Sequence, residues 1–327
     1  MFDTIGSPGL WAAFAVLVVV ALAIDLYVMD RRTQQAVDLK TAAVWSVVWI
    51  ALALAFAGGL WMYLDATAGR EAANTSTAEY LTGYLIEKSL SVDNIFVFLM
   101  LFTYFAVPPE RQRKVLVLGV LGAVFLRIVM ILIGAWLIAK FHWILYVFGL
   151  FLLATGIKMI VFADEKPDLE KNPALRWMRA HLAITPGFHG DRYWIRQDGK
   201  RWFTPLFVVL VLIGVTDIVF AVDSIPAIFA ITDDPFIVMT SNIFAVLGLR
   251  ALYFVLADLA SRFHLLAYGL GAILVFVGLK MLLIDVFKVP VAASLGVVGA
   301  ILAVSMMASL LIPPKEAQKA LPKQGAG

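Results

Sequence analysis

The strongest chemical signal in this chain is a set of carboxylates inside apolar sequence. Two segments each carry two acids six residues apart, followed by an amide or a hydroxyl: Glu87, Asp93 and Asn94, and Asp217, Asp223 and Ser224. A carboxylate is costly to place in hydrocarbon, so acids within apolar spans usually face a cavity and serve a function. The pattern predicts a cation-binding site inside a membrane protein, with these six residues as its oxygen ligands.

Helix geometry limits how these acids can share one ion. Six residues along a straight helix turn through about 600°, which leaves the two side chains ~120° and ~9 Å apart. One solution interrupts the helix, and Pro226 favours this in the sixth span because it removes the amide that would bond near Val222. The other solution places the acids in two layers, Glu87 level with Asp223 and Asp93 level with Asp217. We prefer the layered arrangement as a hypothesis.

Three basic residues in the same spans balance part of this negative charge. We predict that Lys88, Arg127 and Arg250 act as counter-charges or in gating. A purely structural alternative is that the acids pair with these bases and lock the helices together. Closely spaced carboxylates without partners are partly protonated when no cation is bound, so proton movement in the opposite direction is an expected coupling. Oxygen ligands without cysteine suit Mg²⁺, Ca²⁺ or Mn²⁺ rather than Cu or Zn.

Composition places the chain among membrane proteins. Its 327 residues are 62% hydrophobic and 15% charged, whereas soluble domains average about 25% charged residues. Apolar runs longer than the ~20 residues that cross a bilayer recur along the chain. We predict an all-α polytopic membrane protein with nine transmembrane helices, at about 9–29, 41–64, 79–106, 115–139, 141–162, 203–231, 237–260, 264–285 and 290–312.

Basic residues outside the spans predict the orientation. Lysine and arginine concentrate in alternate loops and in the C-terminal tail, whereas the intervening segments hold only Arg70, Lys140 and Lys288. Because lysine- and arginine-rich loops stay in the cytoplasm, we expect the N-terminus outside and the C-terminus inside. In the seventh span, Ser241 and Asn242 either line an entry path or form hydrogen bonds between helices, and we favour the second.

The sixth to eighth spans resemble the third to fifth. Glycines and charged residues correspond in order: Arg127, Gly149, Gly156 and Lys158 match Arg250, Gly271, Gly278 and Lys280. A three-span unit followed directly by its copy is inverted in the membrane, as is typical of secondary transporters. The predicted organisation is two N-terminal helices (1–78), repeat 1 (79–163), a cytoplasmic loop (164–202), repeat 2 (203–286), and a last helix with its tail (287–327).

The cytoplasmic loop carries two local structure signals. Asn172-Pro173 is typical of an N-cap followed by an N1 proline and predicts a short amphipathic helix through His181. Asp198-Gly199, between two basic and aromatic runs, predicts a β-hairpin. We interpret the loop as an amphipathic cap on the membrane surface; binding of a partner or of lipid headgroups is the alternative.

Both acidic segments resemble signatures of a known family. The run Leu81–Phe98, with Glu87, Lys88, Asp93 and Asn94, and the run Phe220–Ala230, with Asp223 and Ser224, resemble the two signatures of the TerC family of integral membrane proteins. The resemblance covers nearly the whole chain and is closest to the Alx-type branch of bacterial manganese exporters. It implies Mn²⁺ efflux across the bacterial inner membrane, with Mn²⁺ as transported substrate and Glu87, Asp93, Asp217 and Asp223 at the acidic positions.

One position departs from the family pattern. Members of the family usually carry a glutamate three residues before the acid that corresponds to Asp217, and here that residue is Gly214. If that glutamate ligates the ion or carries the proton, this chain binds metal more weakly or transports it differently.

Other classes of function have less support. The main alternative to an exporter is a membrane-bound accessory protein that binds metal and delivers it to, or associates with, other membrane machinery. A channel is a third option, against which buried, charge-paired carboxylates argue. We expect no enzyme activity, because no nucleophile–base set, phosphate-binding glycine loop or redox cofactor motif is present. The expected partners are a metal cation, protons and membrane lipid, and no nucleic acid.

Overall fold

In a computed structural model, the chain is described over residues 4–31, 39–141, 143–162, 172–197, 199–259, 265–287 and 289–312. It is helical almost throughout these ranges. The elements are α1 (Pro8–Arg31), α2 (Leu39–Thr67), α3 (Arg70–Tyr104), α4 (Pro109–Lys140), α5 (Ile144–Val161), α6 (Pro173–His181), β1 (Trp194–Gln197), β2 (Lys200–Phe203), α7 (Pro205–Phe229), α8 (Pro235–Val246), α9 (Leu249–Leu259), α10 (Leu266–Leu282) and α11 (Val291–Leu311).

Among the described residues, six helices are long and apolar enough to cross a membrane, namely α1, α2, α4, α5, α7 and α11. The pair α8–α9 qualifies as a seventh span if it is taken as one bent helix. The prediction of an all-α polytopic membrane protein is therefore confirmed. The count of nine stays a prediction for two helices: α3 has 35 residues but carries several charges, and α10 has only 17 residues.

The interruption that Pro226 favoured in the sixth span is not found in the described residues of that span, and a break lies instead between α8 and α9. Helix α7 runs without interruption from Pro205 to Phe229, with Pro226 inside it. Helices α8 and α9 instead meet at a bend of 43°. Gly248 lies at this bend with φ +81°, and a Cβ there would lie 2.5 Å from Trp49 of α2. Both the left-handed backbone and the close contact with Trp49 require glycine at this position.

The four helices α3, α4, α7 and α8 form the centre of the molecule. Helix α3 contacts α2, α7, α8 and α11, and α4 contacts α7 and α8. Their facing side chains belong to one large buried apolar cluster. Many apolar side chains on α1, α2, α5 and α11 are exposed, as expected of helices that face lipid. Functional side chains on the central helices are therefore enclosed by protein.

Helices α5 and α10 pack closely through glycines. A Cβ at Gly149 would lie 3.1 Å from the Gly278 carbonyl oxygen, and one at Gly278 would lie 2.8 Å from the Gly149 carbonyl oxygen. Gly156 and Gly271 are related in the same way, at 2.7 and 3.0 Å. Gly149 corresponds to Gly271, and Gly156 to Gly278, in the predicted repeat. Exchanging the two halves converts one contact into the other, which supports a two-fold relation between the repeats.

The short helix and the hairpin predicted for the loop 164–202 are both present. Helix α6 begins at Pro173, and the Asn172 side chain accepts hydrogen bonds from the amides of Ala174 and Leu175. Strands β1 and β2 pair in antiparallel fashion, and Gly199 in the turn has a φ of +75°. Leu175 and Met178 are buried against the helical core. The loop is therefore a small folded cap that packs on the membrane helices.

Candidate functional site

Arg127 of α4 is the centre of a buried polar cluster. Its guanidinium forms an ion pair with Glu87 of α3 through Nη1. The same nitrogen donates to Asn242 Oδ1 of α8 at 2.8 Å, and Nη2 lies 3.4 Å from Asp217 Oδ1 of α7. Glu87, Arg127 and Asp217 are 0%, 1% and 2% exposed. One cation thus joins carboxylates from the first helix of each predicted repeat.

Two asparagines complete the cluster. Asn242 Nδ2 donates to Glu87 Oε2 at 3.3 Å, and Asn94 Nδ2 donates to Asp217 Oδ1 at 3.4 Å. Two oxygen acceptors, Asn94 Oδ1 and Asp217 Oδ2, have no hydrogen-bond partner among the described residues, although both are buried. Burying an acceptor without a donor is costly. The pair is therefore available to a further cation or proton.

The charge of the cluster is not balanced. Two carboxylates face one guanidinium. Buried ion pairs of this kind add little net stability, and removing one partner is costly because the other charge is left uncompensated. A group of charges held at this cost inside the helices is better explained by a functional role than by stability.

Lys88 contacts the break between α8 and α9 rather than a carboxylate. Its Nζ donates to the Ala245 carbonyl oxygen at 3.2 Å and lies 3.5 Å from that of Leu247. These carbonyls belong to the C-terminal end of α8, where helical hydrogen bonds are missing and the helix dipole is negative. Among the described residues no carboxylate lies within ion-pair distance of Lys88. Lys88 was predicted to balance the charge of the acids, and in the structure its ammonium group instead meets the negative end of α8.

Asp223 lies apart from the buried cluster. It is half-buried and interacts with Thr155 and Lys158 of α5. Asp217 and Asp223 therefore face different neighbours, as their ~120° separation on a straight helix requires. Ser224 is buried, and its Oγ has no hydrogen-bond partner in the part of the chain that the structure describes.

The layered hypothesis is wrong for Glu87 and Asp217. It placed these two acids in different layers, whereas both contact the same guanidinium. The backbone of Asp93 lies within α3, but its side chain is outside the described residues, so its place in the site stays a prediction. Among the described residues, no three Asp, Glu or His side chains come together as a metal site.

Arg250 forms a separate buried ion pair. Its Nη1 lies 3.1 Å from Asp25 Oδ2 of α1, and both side chains are buried. Arg250 is the second residue of α9, just after the bend at Gly248, so the pair attaches the start of α9 to α1. Arg127 and Arg250 correspond in the predicted repeat, and each forms a buried ion pair with a carboxylate of another helix.

Asn242 is the member of the cluster that the sequence reasoning placed outside the site. It was expected to hydrogen-bond between helices, and it does so, but its partners are the functional residues Arg127 and Glu87. The available signal was the polar pair Ser241-Asn242 in an apolar span.

Gly214, one turn before Asp217 on α7, is half-buried, and a Cβ there would meet nothing within 4 Å.

Comparison with known proteins identifies the family. Residues 72–317 match the integral membrane protein TerC family. A protein of Photorhabdus laumondii is 52% identical over 310 residues, covering 95% of this chain and 97% of its own. Its counterpart in Escherichia coli K12 is 53% identical over 305 residues, covering 93% and 95%. Both are named Alx and described as candidate membrane-bound redox modulators.

A more distant relative extends the match. An uncharacterised membrane protein of Myxococcus xanthus is 45% identical over 310 residues, covering 95% of this chain and 94% of its own. No solved structure matches the chain. The family match spans both acidic segments and every helix from α3 to α11. The chain belongs to the TerC family of integral membrane proteins.

Proposed function

We propose that this chain exports Mn²⁺ across the bacterial inner membrane by alternating access. The observation that carries the proposal is the convergence of Glu87 and Asp217 on one buried cation, Arg127. These carboxylates come from α3 and α7, which begin the two predicted repeats. Transporters built from inverted repeats bind their substrate where the repeats meet.

In this proposal Arg127 holds the place that the transported cation takes. With Arg127 between them, two carboxylates and one guanidinium leave a net charge of −1. A divalent cation in place of the guanidinium would neutralise the pair fully. Glu87 and Asp217 would bind it together with amide oxygens of Asn94 and Asn242. The acceptors without partners, Asn94 Oδ1 and Asp217 Oδ2, fit this role.

The ligand chemistry favours a hard divalent cation. Carboxylate and amide oxygens suit Mg²⁺, Ca²⁺ and Mn²⁺, and the resemblance to manganese exporters selects Mn²⁺. The relatives' description as redox modulators is compatible with export, since the chain contains no cysteine and cannot itself exchange thiols. Changing the amount of a redox-active metal in the cell would be the route to such an effect.

Alternating access has two structural supports. The reciprocal glycine contacts of α5 and α10 are those expected of two repeats related by a two-fold axis. The bend at Gly248 gives the second repeat a break close to the site, because Asn242 precedes it and Lys88 binds its carbonyls. Glu87 of the cluster and Lys88 at the bend are adjacent in α3. We therefore expect a movement of Glu87 to shift Lys88 and so alter its contact with the bend.

The test is Mn²⁺ flux into proteoliposomes that contain the purified protein, with internal pH recorded. We expect flux in the wild type, and its loss in Glu87→Gln and Asp217→Asn by at least the roughly 10–100-fold that removal of an outer-shell partner costs. Asp65→Asn is the matched control, because Asp65 pairs with Arg70 at the molecular surface. Flux that survives both cluster substitutions would refute the site.

Binding separates the exporter from the accessory protein. Arg127→Gln leaves Glu87 and Asp217 without a counter-charge, so Mn²⁺ should raise the thermal stability of this variant more than that of the wild type. Protein that binds Mn²⁺ but carries none would favour the accessory role. Deletion of residues 193–203 would then abolish partner association, whereas an exporter would keep its flux without them.

A further inference from the structure

The hairpin β1–β2 places two arginines directly opposite each other. Arg196 pairs with Arg201 in the register of the sheet, and both side chains are exposed. Like charges at directly opposite positions destabilise a two-stranded sheet. An anion between the two guanidiniums would remove this repulsion.

A tryptophan shares this face of the hairpin. Side chains alternate along a strand, so Trp194 lies on the same side as Arg196, and the Arg201 guanidinium lies 4.7 Å from the centre of the Trp194 ring. Trp194 is nevertheless 50% exposed. A surface cavity of ≈ 580 Å³ at the hairpin is lined by His189, Gly190, Arg192, Ile195, Arg196 and Gln197. We call Trp194, Arg196, Arg201 and Arg192 the arginine face.

The arginine face is held at the level of the membrane helix ends. Strand β2 ends at Phe203, and the membrane helix α7 begins at Pro205. Shortly before β1, Asp191 forms an ion pair with Lys114 of α4 at 2.6 Å. Arg111 of α4 also lies 5.1 Å from the ring of Phe188. The cap is therefore fixed to the first turns of α4 and α7, next to the headgroup region of the bilayer.

We propose that the arginine face binds the headgroup phosphate of an anionic phospholipid. Arginine matches phosphate oxygens with two parallel donors, and tryptophan prefers the headgroup level of membranes. Basic residues next to an anionic membrane surface are attracted to it. The exposed tryptophan favours lipid over a soluble phosphate or RNA. The proposal is independent of the cation site, which lies inside the helices.

The test is native mass spectrometry of the intact protein with added dioleoyl phosphatidylglycerol or dioleoyl phosphatidylcholine. We expect preferential retention of phosphatidylglycerol, and an affinity about 5-fold lower for each arginine removed in Arg196→Gln and Arg201→Gln. Arg70→Gln is the matched control. Like Arg201 with Trp194, Arg70 lies 4.7 Å from the centre of a tryptophan ring, that of Trp61, but it is at the start of α3 and not in the hairpin. It should bind phosphatidylglycerol as the wild type does.

Arg201→Glu separates loss of binding from loss of folding. It places opposite charges across the hairpin, which stabilises the strand pair, yet it should weaken phosphatidylglycerol binding more than Arg201→Gln. In the wild type, added salt should lower the affinity without any substitution. Equal retention of the two lipids, or unchanged affinity in Arg201→Glu, would overturn the proposal. Tighter binding of a uridine homopolymer RNA would replace lipid by nucleic acid as the partner.

Discussion

At the scale of residues, the sequence predicted the acids and three basic counter-charges, but not which acid each base would meet. Six-residue spacing on a helix requires the two acids of a pair to diverge, and Asp217 and Asp223 do face different helices. Which neighbour each acid meets depends on packing between distant parts of the chain. Arg127 approaches Asp217 across 90 residues, and no local pattern encodes such a contact. The sequence named Arg127 as a counter-charge, but the two acids that it joins were visible only in three dimensions.

Gly214 gives a prediction at the same scale. A Cβ at this position meets nothing within 4 Å, so a larger side chain fits without displacing neighbours. Residues three apart lie on the same helix face, which would bring a glutamate here beside Asp217. We expect Gly214→Glu to bind Mn²⁺ about 10-fold more tightly, a gain of about 1.4 kcal/mol, as measured by isothermal titration calorimetry.

Gly214→Gln is the control for this prediction. Glutamine has nearly the same size and helix propensity as glutamate but carries no charge. Its Mn²⁺ affinity should stay close to that of the wild type. Equal gains in the two variants would show that side-chain volume rather than charge acts at this position, and the loss of the family's usual glutamate would then have no electrostatic consequence for the site.

At the scale of elements, proline was a misleading signal and glycine an overlooked one. Pro226 lies three residues before the end of α7 at Phe229, so its missing amide affects only the last turns. Proline is also tolerated within membrane spans, because neighbouring helices and side chains satisfy the backbone groups that it frees. Glycine is common in such spans as a packing residue. The sequence therefore could not distinguish Gly248, which lies at a break between two helices, from Gly149 and Gly156, which let two helices pack closely.

Gly248→Ala tests whether the bend between α8 and α9 depends on its glycine. A left-handed backbone costs a residue with a Cβ about 1–2 kcal/mol. The added methyl would also lie 2.5 Å from Trp49. We expect a lower apparent Tm for the detergent-solubilised protein and reduced Mn²⁺ flux, because both costs act on the folded, bent form.

Gly58→Ala is the comparison for the bend. Gly58 lies within α2, and a Cβ there would meet nothing within 4 Å. Alanine is the better helix former by about 1 kcal/mol, so this variant should match or exceed the wild-type Tm. If Gly248→Ala behaves like Gly58→Ala, the bend does not depend on the left-handed glycine.

At the scale of the whole molecule, hydropathy predicted the class of fold and most spans. It also predicted the third span at 79–106, although α3 carries Glu79, Glu87, Lys88 and Asp93. Glu87 and Lys88 are satisfied inside the protein, by Arg127 and by the end of α8. A helix whose charges are paired internally can cross a membrane although its mean hydropathy is modest. Composition alone cannot show such pairing.

Orientation is the last property that the sequence predicts for the whole molecule, and the chain is well suited to a direct test. It contains no cysteine, so a single introduced thiol reports its own position without background. Lys200→Cys lies in the exposed hairpin, and Ala68→Cys lies in the exposed turn between α2 and α3.

Because basic loops stay in the cytoplasm, a membrane-impermeant maleimide applied to intact spheroplasts should label Ala68→Cys only. Lys200→Cys should react once the membrane is permeabilised. The reverse pattern would invert the predicted topology, and with it the direction in which the central cluster faces when it releases its cation.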